Sequence, residues 1–280
     1  MITISAKSKK RIGRVAPFII KSLIGLLFIS PLIIAVFFSL QVEDELTMPP
    51  LHLFTKNPYF SNFLEVFQKV PFFTYLKNSL IVCVGAITIQ IIVASLAAYG
   101  FVFFNFKFKK VFFALVVSAM SIPGEVVVIT NYVTIQNLGL YNTYLGLMIT
   151  SFVGSTSIFM MRQYYMTLPK DYKEAAELDG CGNLRFLLKI ATPLSVPTIT
   201  SLAMYLFVHI YNAFFWPVLV TGSMDKRTVQ VGISFLVSGD VVRYSQILAS
   251  AIVAILPTVI LFIFGQDYII NGMTKGGIKG

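Results

Sequence analysis

The chain has 280 residues, of which 56% are hydrophobic and 12% charged, with a formal net charge of +10. Soluble domains carry roughly 25% charged residues. The mean hydropathy of +0.80 likewise excludes a water-soluble domain as the bulk of the chain, and a single membrane domain with little soluble mass is expected. The basic residues fall between apolar runs, where they act as topology signals and meet anionic lipid heads, so nucleic acid is not an expected partner.

A helix needs about 20 apolar residues to cross the hydrocarbon core, and six segments qualify. A basic tail, 1–14, with Lys7, Lys9, Lys10, Arg11 and Arg14, leads into the first span, 15–40. That run is too long for a signal-peptide core and no small-residue cleavage site follows it, so it reads as an uncleaved anchor. The second and third spans are 76–104 and 111–132. The fourth, 144–161, is the least apolar, with Gly146, Gly154, Ser155, Thr156 and Ser157; small residues of this kind let helices pack closely in lipid. The fifth and sixth are 196–220 and 247–270. Pro31, Pro123, Pro217 and Pro257 lie inside or at the ends of spans, either as simple kinks or as bends that line a pathway.

Orientation follows from Lys and Arg. With the N-terminus inside, 16 of the 22 basic residues fall on inner segments: the N-terminal tail and its edge, Lys107 to Lys110, Arg162 to Lys189, and the C-terminal tail. Lys56, Lys69, Lys77, Lys226, Arg227 and Arg243 fall outside. The asymmetry predicts both ends in the cytoplasm.

Enzyme chemistry finds little support. Gly180-Cys181-Gly182 begins like a dinucleotide fingerprint, but Arg185 stands where the third Gly belongs and no strand precedes it. No phosphate-binding loop, Gly-x-Ser-x-Gly elbow or His-Glu-x-x-His helix occurs. Cys83 and Cys181 are not expected to pair, and His52 and His209 stand alone, so no metal or catalytic constellation is expected.

The most informative segment is the inner loop 162–195. Leu168-Pro169-Lys170-Asp171-Tyr172-Lys173-Glu174-Ala175-Ala176-Glu177-Leu178-Asp179-Gly180 predicts a short surface helix. Pro169 suits its first position, Asp171 and Glu174 suit the positive end of the dipole, and Gly180 suits the residue after its end. Tyr172, Ala175, Ala176 and Asp179 are expected on one shallow face open to a partner. A second helical run, 183–191, is expected to stop before Pro193 and Pro197.

Glu174-Ala175-Ala176, then Gly180, Ile190 and Pro193, resembles the EAA motif of binding-protein-dependent ABC importer permeases, with Thr192 in place of the usual Leu and Cys181 where Ala is common. Asn78-Ser79-Leu80, Ala97-Ala98-Tyr99, Ile122-Pro123-Gly124-Glu125 and the run from Leu138 to Leu147 look like further parts of that family. The ending Gly272 to Gly280 is similar to the tail of the smaller, six-helix subunit of maltose-type sugar permeases. The resemblance implies an all-α membrane protein of the type I ABC importer permease fold. Its anchor would be 15–40, its transmembrane domain 75–270 and its cytoplasmic tail 271–280.

It further implies a multi-pass subunit of the bacterial cytoplasmic membrane that is not itself an enzyme and binds no cofactor. Its partners would be a second permease subunit, two ATPase subunits holding ATP and Mg²⁺, and an extracellular solute-binding protein. The cargo would be an oligosaccharide or a related polyol or glycerol phosphate. An amino-acid or peptide permease of the same superfamily and a secondary transporter are the alternatives. The implied coupling residues are Glu174, Ala175, Ala176, Asp179, Gly180, Ile190 and Pro193, and the implied ATPase contacts of the tail are Gly276, Gly277, Lys279 and Gly280. Glu125, Tyr211, Asn212 and Trp216 are candidates to face the translocation pathway, because polar groups in spans face inward and aromatic faces suit sugar rings.

The charge asymmetry makes a direct prediction. A thiol reagent applied from outside modifies an Asp44→Cys variant and spares Lys109→Cys. The reverse pattern inverts the topology and removes the loop 162–195 from the cytoplasm.

Overall fold

A computed structural model describes residues 6–50, 52–237 and 242–275, and every regular element among them is helical. In chain order these are α1 (Ala6–Ser39), α2 (Glu43–Thr47), α3 (Ser61–Lys69), α4 (Phe72–Phe103), α5 (Lys109–Ala119), α6 (Gly124–Asn137), α7 (Tyr144–Met148), α8 (Ser155–Thr167), α9 (Lys170–Leu178), α10 (Asn183–Phe186), α11 (Thr192–Leu194), α12 (Val196–Tyr211), α13 (Phe215–Val220), α14 (Val229–Val237) and α15 (Tyr244–Lys275). A 3₁₀ turn at Ile149–Ser151 follows α7, and a π turn at Leu187–Ala191 joins α10 to α11. Contacts divide the chain into two units, Met1–Val70 with Phe235–Val253, and Pro71–Ser234 with Ala254–Gly280.

Three stretches are long and apolar enough to cross a membrane by themselves: Pro17–Ser39, Phe72–Phe103 and Tyr244–Gln266. The first carries no buried residue in its most apolar window, and Phe28 is 81% exposed. Side chains of that kind need lipid or another chain around them. The helix begins at Ala6, so the basic segment from residue 6 is helical and runs without a break into the apolar stretch.

The other three predicted spans are broken rather than continuous. α5 and α6 meet at 98°, Tyr144–Ser151 and Ser155–Thr167 at 50°, and Asn183–Leu194 and Val196–Tyr211 at 77°; counted as one span each, they bring the total to six. The first two breaks have a local cause. Pro123 sits in extended backbone at ψ 133° and disfavours helix at Ile122. Gly154 is extended at φ −130°, and a Cβ there would collide with the Gln90 amide, so the break lets α4 and α8 approach. The 77° bend lies at Ser195, just ahead of the predicted start of the fifth span at 196, and that span is itself interrupted where Asn212 to Phe214 separate α12 from α13. The run from Asn183 does not stop before Pro193, as expected, but passes through it. The π turn just ahead of Pro193 loosens the hydrogen-bond ladder where proline supplies no donor.

Buried amides and hydroxyls on α4 hold the larger unit. Asn78 donates to the Asp225 and Arg227 carbonyls, at 2.9 Å each, and accepts from Tyr144 Oη at 2.6 Å. Ser79 Oγ accepts from Val229 N at 2.9 Å, and Gln90 donates to Ser157 Oγ at 2.8 Å. Satisfied polar groups of this sort fix helix register in lipid, where apolar contact alone discriminates poorly. Residues 138–147 form a matching brace. Asn142, at φ 59°, accepts from Gly222 N at 3.0 Å and Ser223 N at 3.2 Å, and Thr143 Oγ1 caps α7 by accepting from Gly146 N at 3.0 Å.

In the smaller unit, Glu43 caps α15 from a distance. Its carboxylate accepts from Tyr244 N at 2.8 Å, Ser245 N at 3.0 Å and Ser245 Oγ at 2.7 Å. A carboxylate at a helix N-terminus satisfies orphan donors and opposes the dipole, together worth about 1 kcal/mol or more. Glu43→Gln therefore speeds amide exchange at Tyr244 and Ser245 several-fold, read by hydrogen–deuterium exchange, and leaves exchange in α4 unchanged.

Candidate functional site

The sequence expectation places function on the surface helix α9, and the structure shows how that helix is made. Pro169 is the residue before it rather than its first turn, and Asp171 alone is acidic in the first turn. The C-terminus closes in a Schellman motif: Gly180 N donates to Glu177 O at 3.0 Å and Cys181 N to Ala176 O at 2.8 Å. Gly180 takes φ +69°, as its place past the helix end predicts, with open space around its Cα. The site therefore needs glycine for its backbone conformation, not for room.

The two alanines do not share an open face. Ala176 is 5% exposed and joins the core with Tyr99, Tyr165, Phe186 and Leu187, while Ala175 is exposed. A helical step of about 100° turns neighbouring residues apart, so one anchors the helix and the other presents it. The exposed face carries Tyr172, Glu174, Ala175, Asp179 and Leu178, the last at 90% exposure. Leu184 and Leu188 extend it as exposed apolar groups. Of the remaining motif residues, Ile190 is half-buried and Pro193 exposed. Leu178 carries no signal of its own in the sequence, because it lies between Ala176 and Gly180 without belonging to the motif.

The inward face is clamped by a polar cluster. Asn183 Oδ1 accepts from Lys173 Nζ at 2.7 Å and from Tyr99 Oη at 3.0 Å, so α9, α10 and the end of α4 meet on one atom. Lys173 also pairs with Glu177 at 3.1 Å, and its Nζ lies 5.1 Å over the Phe186 ring. Burial pulls the Lys173 ammonium pKa down. The hydrogen bond to Glu177 and the Tyr99 phenol outweigh it, so the group lies above its ordinary value and stays charged at neutral pH.

A second feature was not anticipated. Gln90 of α4, Thr150, Ser151, Thr156 and Ser157 around the break ahead of α8, and Tyr205 and His209 of α12 line a cleft of about 200 Å³. The Tyr205 and His209 rings stack in parallel, 6.3 Å apart and 6° from coplanar. The small polar residues of the fourth span, which suit close helix packing, also supply this lining. Amide, hydroxyl and ring groups suit a polyhydroxylated ligand.

The four predicted pathway residues do not gather here. Tyr211 is 2% exposed, its hydroxyl donates to Ala254 O at 2.7 Å, and it does not line this cleft. Trp216 is half-buried and spends its indole N–H on Gly146 O at 3.2 Å. Asn212 is exposed at the α12–α13 break and accepts from Gln230 Nε2 at 3.2 Å. Glu125 is exposed in the first turn of α6, where the helix dipole favours a carboxylate. The tail residues Gly276, Gly277, Lys279 and Gly280 lie outside the described residues.

Residues 90–275 match the family described as binding-protein-dependent transport system inner membrane component. The arabinooligosaccharides transport system permease protein AraQ of Halalkalibacterium halodurans is 32% identical over 220 residues, covering 78% of this chain and 79% of that protein. AraQ of Bacillus subtilis is 29% identical over 270 residues, covering 95% and 96%. The sn-glycerol-3-phosphate transport system permease protein UgpE of Yersinia pestis is 29% identical over 256 residues, covering 89% and 91%. Among solved structures, a chain of a bacterial ABC transporter involved in the import of the acidic polysaccharide alginate superposes with a TM-score of 0.80 at 20% identity, covering 96% of this chain and 99% of that one. The fold is thereby the type I ABC importer permease fold.

The geometry of Gly180 yields a test. Gly180→Val forces a β-branched side chain into the left-handed region at a cost of about 1–2 kcal/mol, or roughly a tenfold larger open population of the loop. Limited proteolysis of the membrane-embedded protein cuts 168–182 correspondingly faster, whereas Gly180→Asn, which tolerates that conformation, stays close to the parent.

Proposed function

The chain belongs to the family of binding-protein-dependent transport system inner membrane components, and on that premise we propose that it is one of two permease subunits of an ATP-driven importer for a carbohydrate. It is a multi-pass protein of the bacterial cytoplasmic membrane. Its partners in this reading are a second permease subunit, two ATPase subunits that hold ATP with Mg²⁺ and perform the hydrolysis, and an extracellular binding protein that delivers the cargo. Both termini lie in the cytoplasm, as the basic residues direct. The anchor is 15–40, the transmembrane domain 75–270 and the C-terminal tail 271–280, with Gly276, Gly277, Lys279 and Gly280 against an ATPase subunit.

The observation that supports this most is the two-faced surface helix. Lys173 and Ala176 fasten α9 to the end of α4, while Leu178 stands 90% exposed beside Glu174, Ala175 and Asp179. Burying a leucine stabilises a contact by about 1.5–3 kcal/mol, so the exposed end of α9 is a docking knob for an ATPase cleft. Gly180 fixes where the helix stops, and Ile190 and Pro193 carry the chain on to α12. When ATP closes the ATPase pair, α9 moves as a rigid body, and the clamp passes that displacement to α4 and the bent spans packed on it.

The cargo assignment rests on the named substrates of the relatives, arabinooligosaccharides and glycerol 3-phosphate, and on the chemistry of the cleft. Gln90, Ser157, Tyr205 and His209 offer hydrogen bonds and ring faces to sugar hydroxyls and pyranose faces. Glu125 and Asn212, both exposed at breaks in spans, remain pathway candidates, whereas Tyr211 and Trp216 support the walls.

Docking makes a specific demand. Leu178→Asp or Glu174→Lys leaves membrane levels normal and weakens ATPase retention in the purified complex at least tenfold, with loss of transport-linked hydrolysis; a swing of about 1.4 kcal/mol suffices. Full retention with normal hydrolysis and uptake shows that the loop is not the coupling element. Independently, Tyr205→Ala with His209→Ala alters the order of sugar preference in uptake assays while ATPase retention stays intact.

A further inference from the structure

A pocket of about 370 Å³ lies between the end of α4, the start of α5 and α8, lined by Phe101, Asn105, Lys109, Lys110, Phe113 and Arg162. Three of its six lining residues are cationic and none is a carboxylate. Arg162 makes the charge conspicuous. Its Nε is buried and has no hydrogen-bond acceptor among the described residues, and its guanidinium lies 3.9 Å over the Phe113 ring, a contact that holds the cation but accepts no N–H bond. Lys109 reaches back to the carbonyls that end α4, Phe104 O at 2.8 Å and Val102 O at 3.4 Å, which fixes its ammonium at the pocket edge. A buried guanidinium N–H without an acceptor is costly, and in an apolar protein it marks a ligand site.

The surroundings identify the ligand as an amphiphile. The pocket sits where an apolar span ends and the next begins, the level of a membrane surface. Beside it α5 buries none of its residues, and the cap residue Phe108, with Phe112 and Leu115, forms an exposed apolar line at helical spacing. We propose that this pocket binds the phosphate headgroup of an anionic membrane lipid, with Arg162, Lys109 and Lys110 on the phosphate and an acyl chain along Phe108, Phe112 and Leu115. Arginine matches phosphate oxygens with paired N–H donors, and basic pockets between spans recruit such headgroups. A soluble phosphate would satisfy the cations but leave the apolar line unused.

The test is native mass spectrometry of the detergent-purified complex titrated with dioleoylphosphatidylglycerol or dioleoylphosphatidylcholine. The expected result is preferential retention of phosphatidylglycerol. That preference falls about fivefold per charge removed in Arg162→Gln and in the Lys109→Gln, Lys110→Gln pair, with Arg162→Lys intermediate. Lys189→Gln, which removes an equal charge from an inner segment away from the pocket, leaves the preference unchanged. If Arg162→Gln fails to assemble, the lysine pair decides the question by the same readout. Equal retention of the two lipids, an equal loss in Lys189→Gln, inorganic phosphate binding alone as tightly as phosphatidylglycerol, or loss of the lipid whenever ATPase subunits are attached would each overturn the proposal.

Discussion

The contact on which the rest depends is the acceptance of two donors by Asn183 Oδ1, Lys173 Nζ at 2.7 Å and Tyr99 Oη at 3.0 Å. Tyr99 belongs to α4, Lys173 to α9 and Asn183 to α10, so one amide oxygen ties the surface loop to the longest helix of the larger unit. Glu177 holds the lysine charged, and Ala176 closes the apolar side of the same joint. A surface helix of nine residues is unstable by itself in water. Fastened at this joint and capped at Gly180, it becomes a rigid piece whose exposed face can transmit a displacement.

The membrane part obeys the complementary constraint. In lipid every backbone group needs a partner, and apolar contact barely distinguishes one register from another. The spans therefore carry their polar groups as fastenings: Asn78 and Ser79 hold the segment ahead of α14, Gln90 holds α8, and Tyr211 reaches Ala254 O. The breaks at Pro123, Gly154 and Ser195 interrupt three spans. Such breaks expose backbone and small side chains where the helices part, and the cleft beside Gly154 is one consequence.

How much of this was legible depended on the kind of signal. The positions of the spans followed from apolar runs, and the end of α9 from Gly180, whose positive φ only glycine accepts readily. The Glu-Ala-Ala spacing located the loop but not its faces: linear spacing put Ala175 and Ala176 together, and packing turned Ala176 inward against Tyr99 and Phe186. The bend at Pro123 was legible from the proline, whereas the one at Gly154 was not, because hydropathy averages over a window and is blind to a single extended residue. Nor was the cleft, since Gln90, Ser157, Tyr205 and His209 come from three separated segments. The burial of Tyr211 was hidden for the same reason: its hydroxyl partner lies 43 residues away.

The most direct test of the joint separates docking from transmission. In the assembled complex reconstituted in vesicles, the ratio of sugar molecules imported to ATP hydrolysed is measured for Asn183→Ala. The account predicts that ATPase subunits remain bound and hydrolysis continues while the ratio falls several-fold, because the docked helix is no longer tied to α4. An unchanged ratio, with the variant fully assembled, would contradict it.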